Sequence, residues 1–197
     1  MQNPSEPWAP ALPIVTERLF LRVHRESDLH DLLAYHGDPE TTRYLPWPVR
    51  TRQQTRDALV PKLAQGVAKS EGEWLVLAIE ERASGVVIGE VLLKRGADRT
   101  CELGYVIRRD RQGLGLASEA VAAMLALAFD EYGQTTVDAE IQRGNTASVR
   151  LVERFGFVRD ESLDYLKEGS DGEPVEIEGY LLRGRPMGLA SPSTFNL

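Results

Sequence analysis

The stretch RDRQGLGLASEA, Arg109–Ala120, decides how the rest of the sequence is interpreted. It places Gly113 and Gly115 directly before an apolar-periodic run that predicts a helix. Glycine allows backbone conformations that other residues disfavour, and the first turn of a helix leaves N–H groups without intrahelical partners. Together with the helix dipole, these open N–H groups make a candidate phosphate site. The alternative is a tight strand-to-helix turn without a ligand.

The elements around this turn predict a mixed α+β fold. Three upstream runs, each a short turn apart, are typical of an antiparallel meander: EWLVLAIEE (73–81), VVIGEVLLK (86–94) and CELGYVI (101–107). Downstream, Ser118–Tyr132 predicts a helix, TTVDAEI (135–141) a strand, TASVRLVERF (146–155) a helix and FVRDESLDYL (157–166) a strand. A strand–helix–strand unit makes a right-handed crossover between parallel strands. We therefore expect antiparallel N-terminal strands that lead to a parallel pair, with helices on both faces.

Composition limits the class of protein. The chain has 197 residues, of which 42% are hydrophobic and 27% charged, as in one ordinary globular domain. We assign that domain to 14–184 and expect 1–13 and 185–197 to be loosely ordered tails. The net charge of −7 argues against nucleic-acid binding, because no excess of Lys and Arg is available to neutralise phosphates.

The single cysteine, Cys101, excludes an internal disulfide and suits a reducing cytosol. No signal-peptide pattern opens the chain, and no apolar run approaches the roughly 20 residues of a membrane span. We therefore expect a cytoplasmic protein with no membrane partner. The histidines lack i,i+4 pairing and cysteine partners, so no metal site is expected. A homodimer is the default expectation for its assembly.

Two nucleotide motifs compete for the glycine turn. A P-loop requires a lysine and a Ser or Thr after its last glycine, whereas Leu116 and Ala117 follow Gly115, which excludes it. A dinucleotide-binding fingerprint fits better, since an acid expected about 20 residues further on could be Asp138 or Glu140. However, Ser118 replaces its third glycine, and antiparallel strands precede the unit, so it stays a minor alternative.

The hexapeptide Gln112–Ala117 has the form Q/R-x-x-G-x-G/A and resembles the acetyl-CoA pyrophosphate loop of the GNAT superfamily of N-acetyltransferases. NTASVRLVERFGF, Asn145–Phe157, resembles the second GNAT signature, an asparagine that starts a helix ending in Gly-Phe. Three further segments resemble the branch that contains the ribosomal-protein N-terminal alanine acetyltransferases: TERLFLR (16–22), DPETTRYLPW (38–47) and SEA (118–120). The resemblance covers about Thr16–Arg183.

This resemblance implies acetyl-CoA as cosubstrate, bound between CELGYVI and TTVDAEI, which would splay apart. The pantetheine arm would pair with the backbone of Tyr105, Val106 and Ile107, like an added strand. The pyrophosphate would lie on the backbone amides of Gln112, Gly113, Leu114, Gly115, Leu116 and Ala117. Asn145 would help to hold the pantetheine end; the alternative is that it only caps its helix.

Acetyl transfer to an amine requires a base, because an aliphatic ammonium is mostly protonated at neutral pH. Glu102 is the first candidate, directly or through water, and a solvated strand glutamate is the alternative. Glu90 is the second candidate. Many GNAT enzymes have a tyrosine where this chain has Val152, so the proton donor for the thiolate stays open. The resemblance implies that Ser148 contacts the thiolate; a surface serine and proton donation by solvent are the alternatives.

The sequence therefore predicts an N-acetyltransferase that moves acetyl directly to a primary amine, with a protein N-terminus as the expected acceptor. A small-amine acceptor (a polyamine, an antibiotic or an amino acid) and a non-catalytic CoA-binding module are the alternatives. Cys101 is disfavoured as an acyl-accepting nucleophile, because no histidine is close in sequence. Tyr44 and Trp47 could line the acceptor mouth, although aromatic residues in such a loop more often cover a core edge.

Overall fold

One mixed sheet organises the chain in a computed structural model, which describes residues 6–169 and 172–189. The strands are β1 Ile14–Val15, β2 Leu19–Arg22, β3 Trp74–Glu81, β4 Val87–Arg95, β5 Thr100–Ile107, β6 Thr136–Gln142, β7 Val158–Arg159, β8 Tyr165–Glu168 and β9 Pro174–Arg183. The helices are α1 Leu29–His36, α2 Pro39–Thr42, α3 Arg52–Lys62, α4 Leu116–Ala126 and α5 Thr146–Arg154. The predicted α+β fold is confirmed.

The order of the strands across the sheet is β1-β2-β3-β4-β5-β6-β9-β7, and β8 pairs with β9. The pairs from β1 to β5 are antiparallel, which confirms the meander. β5 and β6 are parallel, and α4 crosses over between them. The predicted transition from an antiparallel half to a parallel pair therefore falls at β5, directly before the glycine turn.

Helices cover both faces of this sheet. On one face, Leu116, Met124 and Leu127 of the α4 region pack with strand residues in the larger apolar core. On the other face, Leu32 and Tyr35 of α1 and Leu59 of α3 form a smaller core with Ala78, Val87 and Val106. A strand at the centre of the sheet, such as β5, thus contributes alternate side chains to two different environments.

The described part of the segment before β1 contacts the core through Trp8. Trp8 is buried and stacks on Tyr132, with ring centroids 4.7 Å apart and an interplanar angle of 3°. The backbones of Trp8 and Ala68 exchange two hydrogen bonds of 2.7 and 3.0 Å. The large apolar area of an indole explains why the Trp8 side chain packs into the core although its segment is rich in proline. Residues 1–5 and 190–197, also assigned to tails, lie outside the described residues.

Two predicted elements differ in detail. The helix expected over Ser118–Tyr132 begins earlier, at Leu116, and its last turn is a π-turn over Leu127–Glu131. The strand expected over 157–166 is divided: a 3₁₀ turn over Glu161–Leu163 separates β7 from β8. The side chain of Asp160 causes the break, because its Oδ1 accepts a hydrogen bond from Ser162 N–H at 3.1 Å and so starts a turn.

Candidate active site

The glycine turn presents a row of open backbone donors. Gly113 and Gly115 have φ of +74° and +79°, in the left-handed region that favours glycine, and Gly115 is the N-cap of α4. No side chain caps this helix, and none of the N–H groups from Gly113 to Ser118 donates to another described residue. Open donors at the positive end of a helix form a favourable site for an anion.

Side chains hold this turn from outside. Arg18 donates from Nη1 to the carbonyl oxygen of Leu114 at 2.9 Å, and its Nε lies 2.7 Å from Oε2 of Glu119. Gln112 donates from Nε2 to the carbonyl oxygen of Ile107 at 2.9 Å, which ties the turn to the end of β5. The turn is thus fixed through its carbonyl groups and side chains, while its N–H groups stay open.

β5 and β6 separate soon after they begin. Their register joins Thr100–Glu102 with Thr136–Asp138 and then ends, although β5 continues to Ile107 and β6 to Gln142. Beyond Glu102, the edge of β5 that faces β6 has no partner strand among the described residues. An extended group can pair with such an edge as an added strand would.

Two adjoining cavities lie along this edge of β5. One, of about 370 Å³, is lined by residues of both β5 and β6, and the other, of about 790 Å³, lies between the end of β5, the glycine turn and α5. All of the predicted cofactor residues except Leu114 line the larger cavity. They are Tyr105, Val106, Ile107, Gln112, Gly113, Gly115, Leu116, Ala117 and Asn145. Leu114 instead has an exposed side chain. Six residues line both cavities and mark where they meet: Tyr44, Leu45, Tyr105, Val106, Asn145 and Ser148.

Helix α5 forms one wall of this junction. Asn145 is its N-cap and accepts a hydrogen bond at Oδ1 from Ser148 N–H at 3.2 Å, so it does cap its helix and also faces both cavities. Ser148 and Val152, one turn apart, both line the smaller cavity. Val152 is buried in the apolar core, and a valine side chain offers no hydroxyl group at that position.

Glu102 lies in the smaller cavity, where β5 leaves β6. Its Oε2 is 3.5 Å from Nζ of Lys94. Burial raises the pKa of Glu102, the nearby carboxylate of Glu140 raises it further, and Lys94 opposes both. A carboxylate with a raised pKa is a stronger proton acceptor, which is what a base for an ammonium group requires.

Glu90, the second candidate base, has a different environment. It is fully buried, and Lys62 Nζ lies 2.7 Å from both of its carboxylate oxygens. The Nε2 atom of His24 is 3.4 Å away. Burial would raise the pKa of Glu90, but Lys62 and His24 outweigh it and lower that pKa. Glu90 is therefore a saturated partner of Lys62, whereas Glu102 makes one 3.5 Å contact with Lys94.

The aromatic residues of the loop 38–47 reach the candidate site. Trp47 lines the smaller cavity and Tyr44 lines both. Trp74 and Lys62 also line the smaller cavity, and sequence analysis did not single out either one. Strand and helix periodicity could place them on the sheet and on α3. The pairing of β3, β4 and β5 brings Trp74 close to Lys94 and Glu102, and the docking of α3 brings Lys62 to Glu90.

Cys101 is buried on the opposite face of β5, and burial raises the pKa of its thiol, which agrees with a packing role. Within residues 6–169 and 172–189 there is no group of three His, Cys, Asp or Glu side chains arranged to hold a metal ion. In the same part of the chain, no helix combines the length and the apolar character that crossing a membrane requires.

Comparisons with known proteins agree with this geometry. The GNAT acetyltransferase domain family matches residues 18–158. The chain is 30% identical over 177 residues to the uncharacterized N-acetyltransferase p20 of Bacillus licheniformis. The alignment covers 87% of this chain and 96% of that protein. The chain therefore belongs to the GNAT acetyltransferase family. It is an N-acetyltransferase that depends on acetyl-CoA.

Solved structures share the fold. Spermidine N-acetyltransferase from Vibrio cholerae, in complex with CoA and spermine, superposes with a TM-score of 0.68 at 17% identity over 85% of this chain and 96% of that one. RimL, a ribosomal-protein alpha-N acetyltransferase in complex with CoA, gives a TM-score of 0.68 at 19% identity over 86% and 96% of the two chains. At these identities the similarity shows the fold alone, and the two proteins act on different amines.

Proposed function

We propose that this protein transfers acetyl directly from acetyl-CoA to the α-amino group of a protein N-terminus, with Glu102 as the base. The observation that carries the proposal is that the two cavities adjoin and share six lining residues. Residues of the glycine turn line the larger cavity and Glu102 lines the smaller one. The shared lining residues come from β5, the start of α5 and the loop 38–47. A donor in one cavity and an acceptor in the other can thus approach each other where the cavities adjoin.

The larger cavity fits the polar part of CoA. The N–H groups of Gly113–Ser118 would hold the pyrophosphate, each charge-assisted bond contributing about 1.5–3 kcal/mol. The unpaired edge of β5 at Tyr105, Val106 and Ile107 would receive the pantetheine amides. Acetyl-CoA supplies a thioester carbonyl that is open to attack. The protein's contribution is to hold it next to the amine, which removes much of the entropic barrier.

In the smaller cavity, Glu102 would take the ammonium proton, directly or through one water molecule. An α-amino group, with a pKa near ~8, demands less of this base than a lysine side chain does. Ser148 lines both cavities, so its hydroxyl group would lie near the thiolate that leaves. Val152 offers no such group, so we assign Ser148 as the contact to the thiolate, with solvent as the final proton source.

The choice of acceptor rests on two supports. One is the resemblance of the loop 38–47 and of the residues after the glycine turn to the ribosomal-protein N-terminal alanine acetyltransferases. The other is the shared fold with RimL. The spermidine acetyltransferase has the same fold, and the carboxylates of Glu102 and Glu140 in the smaller cavity suit a polyamine as well. A small cationic amine is therefore the second candidate. The lone buried thiol supports a cytoplasmic location.

A release assay for free CoA thiol, with acetyl-CoA and a panel of acceptors, tests the proposal. Peptides that begin with Ala or Ser should be acetylated at the α-amino group, and the same peptides with a blocked N-terminus should not. Turnover of spermidine but not of the peptides would move the function to the second candidate. Glu102→Gln should lower kcat by about 10²–10⁴-fold, the range of a general base. Full kcat for this variant between pH 6 and 9 would refute the assignment of the base.

A further inference from the structure

Glu102 has charged neighbours on both sides of β5. Lys94 on β4 and Asp138 on β6 are its register partners. Glu140 follows Asp138 by two residues and therefore points to the same face of the sheet. The candidate base thus lies between an ammonium group on one neighbouring strand and two carboxyl groups on the other.

Lys94 is held close to Glu102 without a short hydrogen bond. Its Nζ is 3.5 Å from Oε2 of Glu102 and 5.1 Å from the centre of the Trp74 ring, and its side chain is 40% exposed. The indole face attracts the ammonium group and restricts where it can lie. Lys94 therefore stabilises the ionised form of Glu102 without saturating it, in contrast to the bidentate contact of Lys62 with Glu90.

Glu140 is held by the last hairpin of the chain. Tyr165 on β8 donates from its hydroxyl group to Oε2 of Glu140 at 2.5 Å. Glu102 and Glu140 line the same cavity. The hydrogen bond fixes a second carboxylate on the acceptor side of Glu102, where a like charge disfavours the ionisation of the base.

Asp138 is the weaker of the two acidic neighbours. Burial raises the pKa of Asp138 to about 6, with a further contribution from Glu140. Asp138 therefore loses its negative charge as the pH falls through about 6. The side chain of Glu140 is exposed to solvent. Glu140 raises the pKa of Glu102 more than Asp138 does.

We propose that Glu140 and Lys94 are positioning residues that act in opposite directions on Glu102 and together set the pH range of acetyl transfer. This inference rests on the proposed role of Glu102 as base. The carboxylate of Glu140 strengthens the base by disfavouring its negative charge, and Lys94 keeps enough of the base ionised at the working pH. Tyr165 maintains the position of Glu140.

The test compares kcat/KM for the acceptor as a function of pH in Glu140→Gln and Lys94→Met. Removing the negative neighbour eases the ionisation of Glu102, so Glu140→Gln should move the acidic limb about 0.5–1 pH unit lower. Removing the positive neighbour should move the limb of Lys94→Met to higher pH by a similar amount. The free acceptor ionises identically with every variant, so a difference between the profiles belongs to the enzyme.

Glu161→Gln is the matched control, because it neutralises an exposed carboxylate in the 3₁₀ turn before β8. Its acidic limb should coincide with that of the unsubstituted protein, and thermal unfolding should confirm that all variants fold. Limbs that stay in place in both test variants, or move in the same direction, overturn the inference. If Glu102→Gln abolishes the limb in that case, only the positioning role fails. If Glu102→Gln retains the full profile, the proposed base itself fails.

Discussion

Arg18 donates a hydrogen bond of 2.9 Å from Nη1 to the carbonyl oxygen of Leu114, the residue between the two glycines of the turn. The same guanidinium group is bonded to Glu119 in the first turns of α4. A residue between β1 and β2 therefore fixes the turn through a carbonyl group and leaves its N–H groups open. The donors are arranged before any ligand arrives, which reduces the entropy lost on binding.

We expect Arg18→Met to weaken CoA binding by about 5–10-fold, because a loosened turn must be ordered when the ligand binds. Stability should fall by less than about 1 kcal/mol, since the Arg18 side chain is 45% exposed. Isothermal titration with CoA measures the affinity, and Arg56→Met on the exposed side of α3 provides the control. An unchanged Kd in Arg18→Met would show that the turn holds its shape without this contact.

Gly113 and Gly85 allow conformational strain to be separated from ligand contact. Both have positive φ, +74° and +69°, and a Cβ atom at either would meet nothing within 4 Å. Gly113→Ala and Gly85→Ala should each lower the free energy of unfolding by about 1–2 kcal/mol through backbone strain. Only Gly113→Ala should also weaken CoA binding, because its methyl group occupies space where the pyrophosphate would approach. Equal CoA affinities in the two variants would contradict the phosphate role of the turn.

Much of the fold could be predicted because its signals are local. The alternation in β3, β4 and β5 and the glycines before α4 specify strands, turns and a helix start within windows of about ten residues. The order of these elements then limits the topology, since a strand–helix–strand unit has one favoured hand. The interrupted strand at 157–166 was missed because a single side chain, Asp160, competes for the backbone there.

The site could be predicted only in part, because only some of its residues are neighbours in sequence. The glycine turn is contiguous in sequence, so its candidate residues gather around one cavity. The surroundings of Glu102 and Glu90 are not contiguous in sequence. Lys94 approaches Glu102, Tyr165 bonds to its neighbour Glu140, and Lys62 and His24 approach Glu90. Those distances depend on strand register and helix docking, which no short window specifies.

Trp8 should be important for stability although it precedes the first strand. Trp8→Ala removes a buried ring that stacks on Tyr132, and we expect a loss of about 3–5 kcal/mol in the free energy of unfolding. Urea denaturation at constant pH measures it. Met187→Ala, at a fully exposed side chain, should change the same quantity by less than about 0.5 kcal/mol. A similarly small change in Trp8→Ala would mean that the segment around Trp8 adds little to the core.

His36 makes stability depend on pH in a defined window. Its side chain is fully buried next to Trp47, and burial lowers the pKa of His36 to about 4. The unfolded chain, with an ordinary histidine pKa near ~6.5, therefore binds more protons than the folded protein between those values, and stability falls as the pH is lowered through them. At pH ~4.5 the contribution of His36 to the free energy of unfolding is smaller by about 2 kcal/mol than at pH 7. Other shifted groups are common to the unsubstituted protein and His36→Asn, so the difference between their urea unfolding curves isolates His36. Parallel pH dependences in the two proteins would contradict the burial of a neutral imidazole at this position.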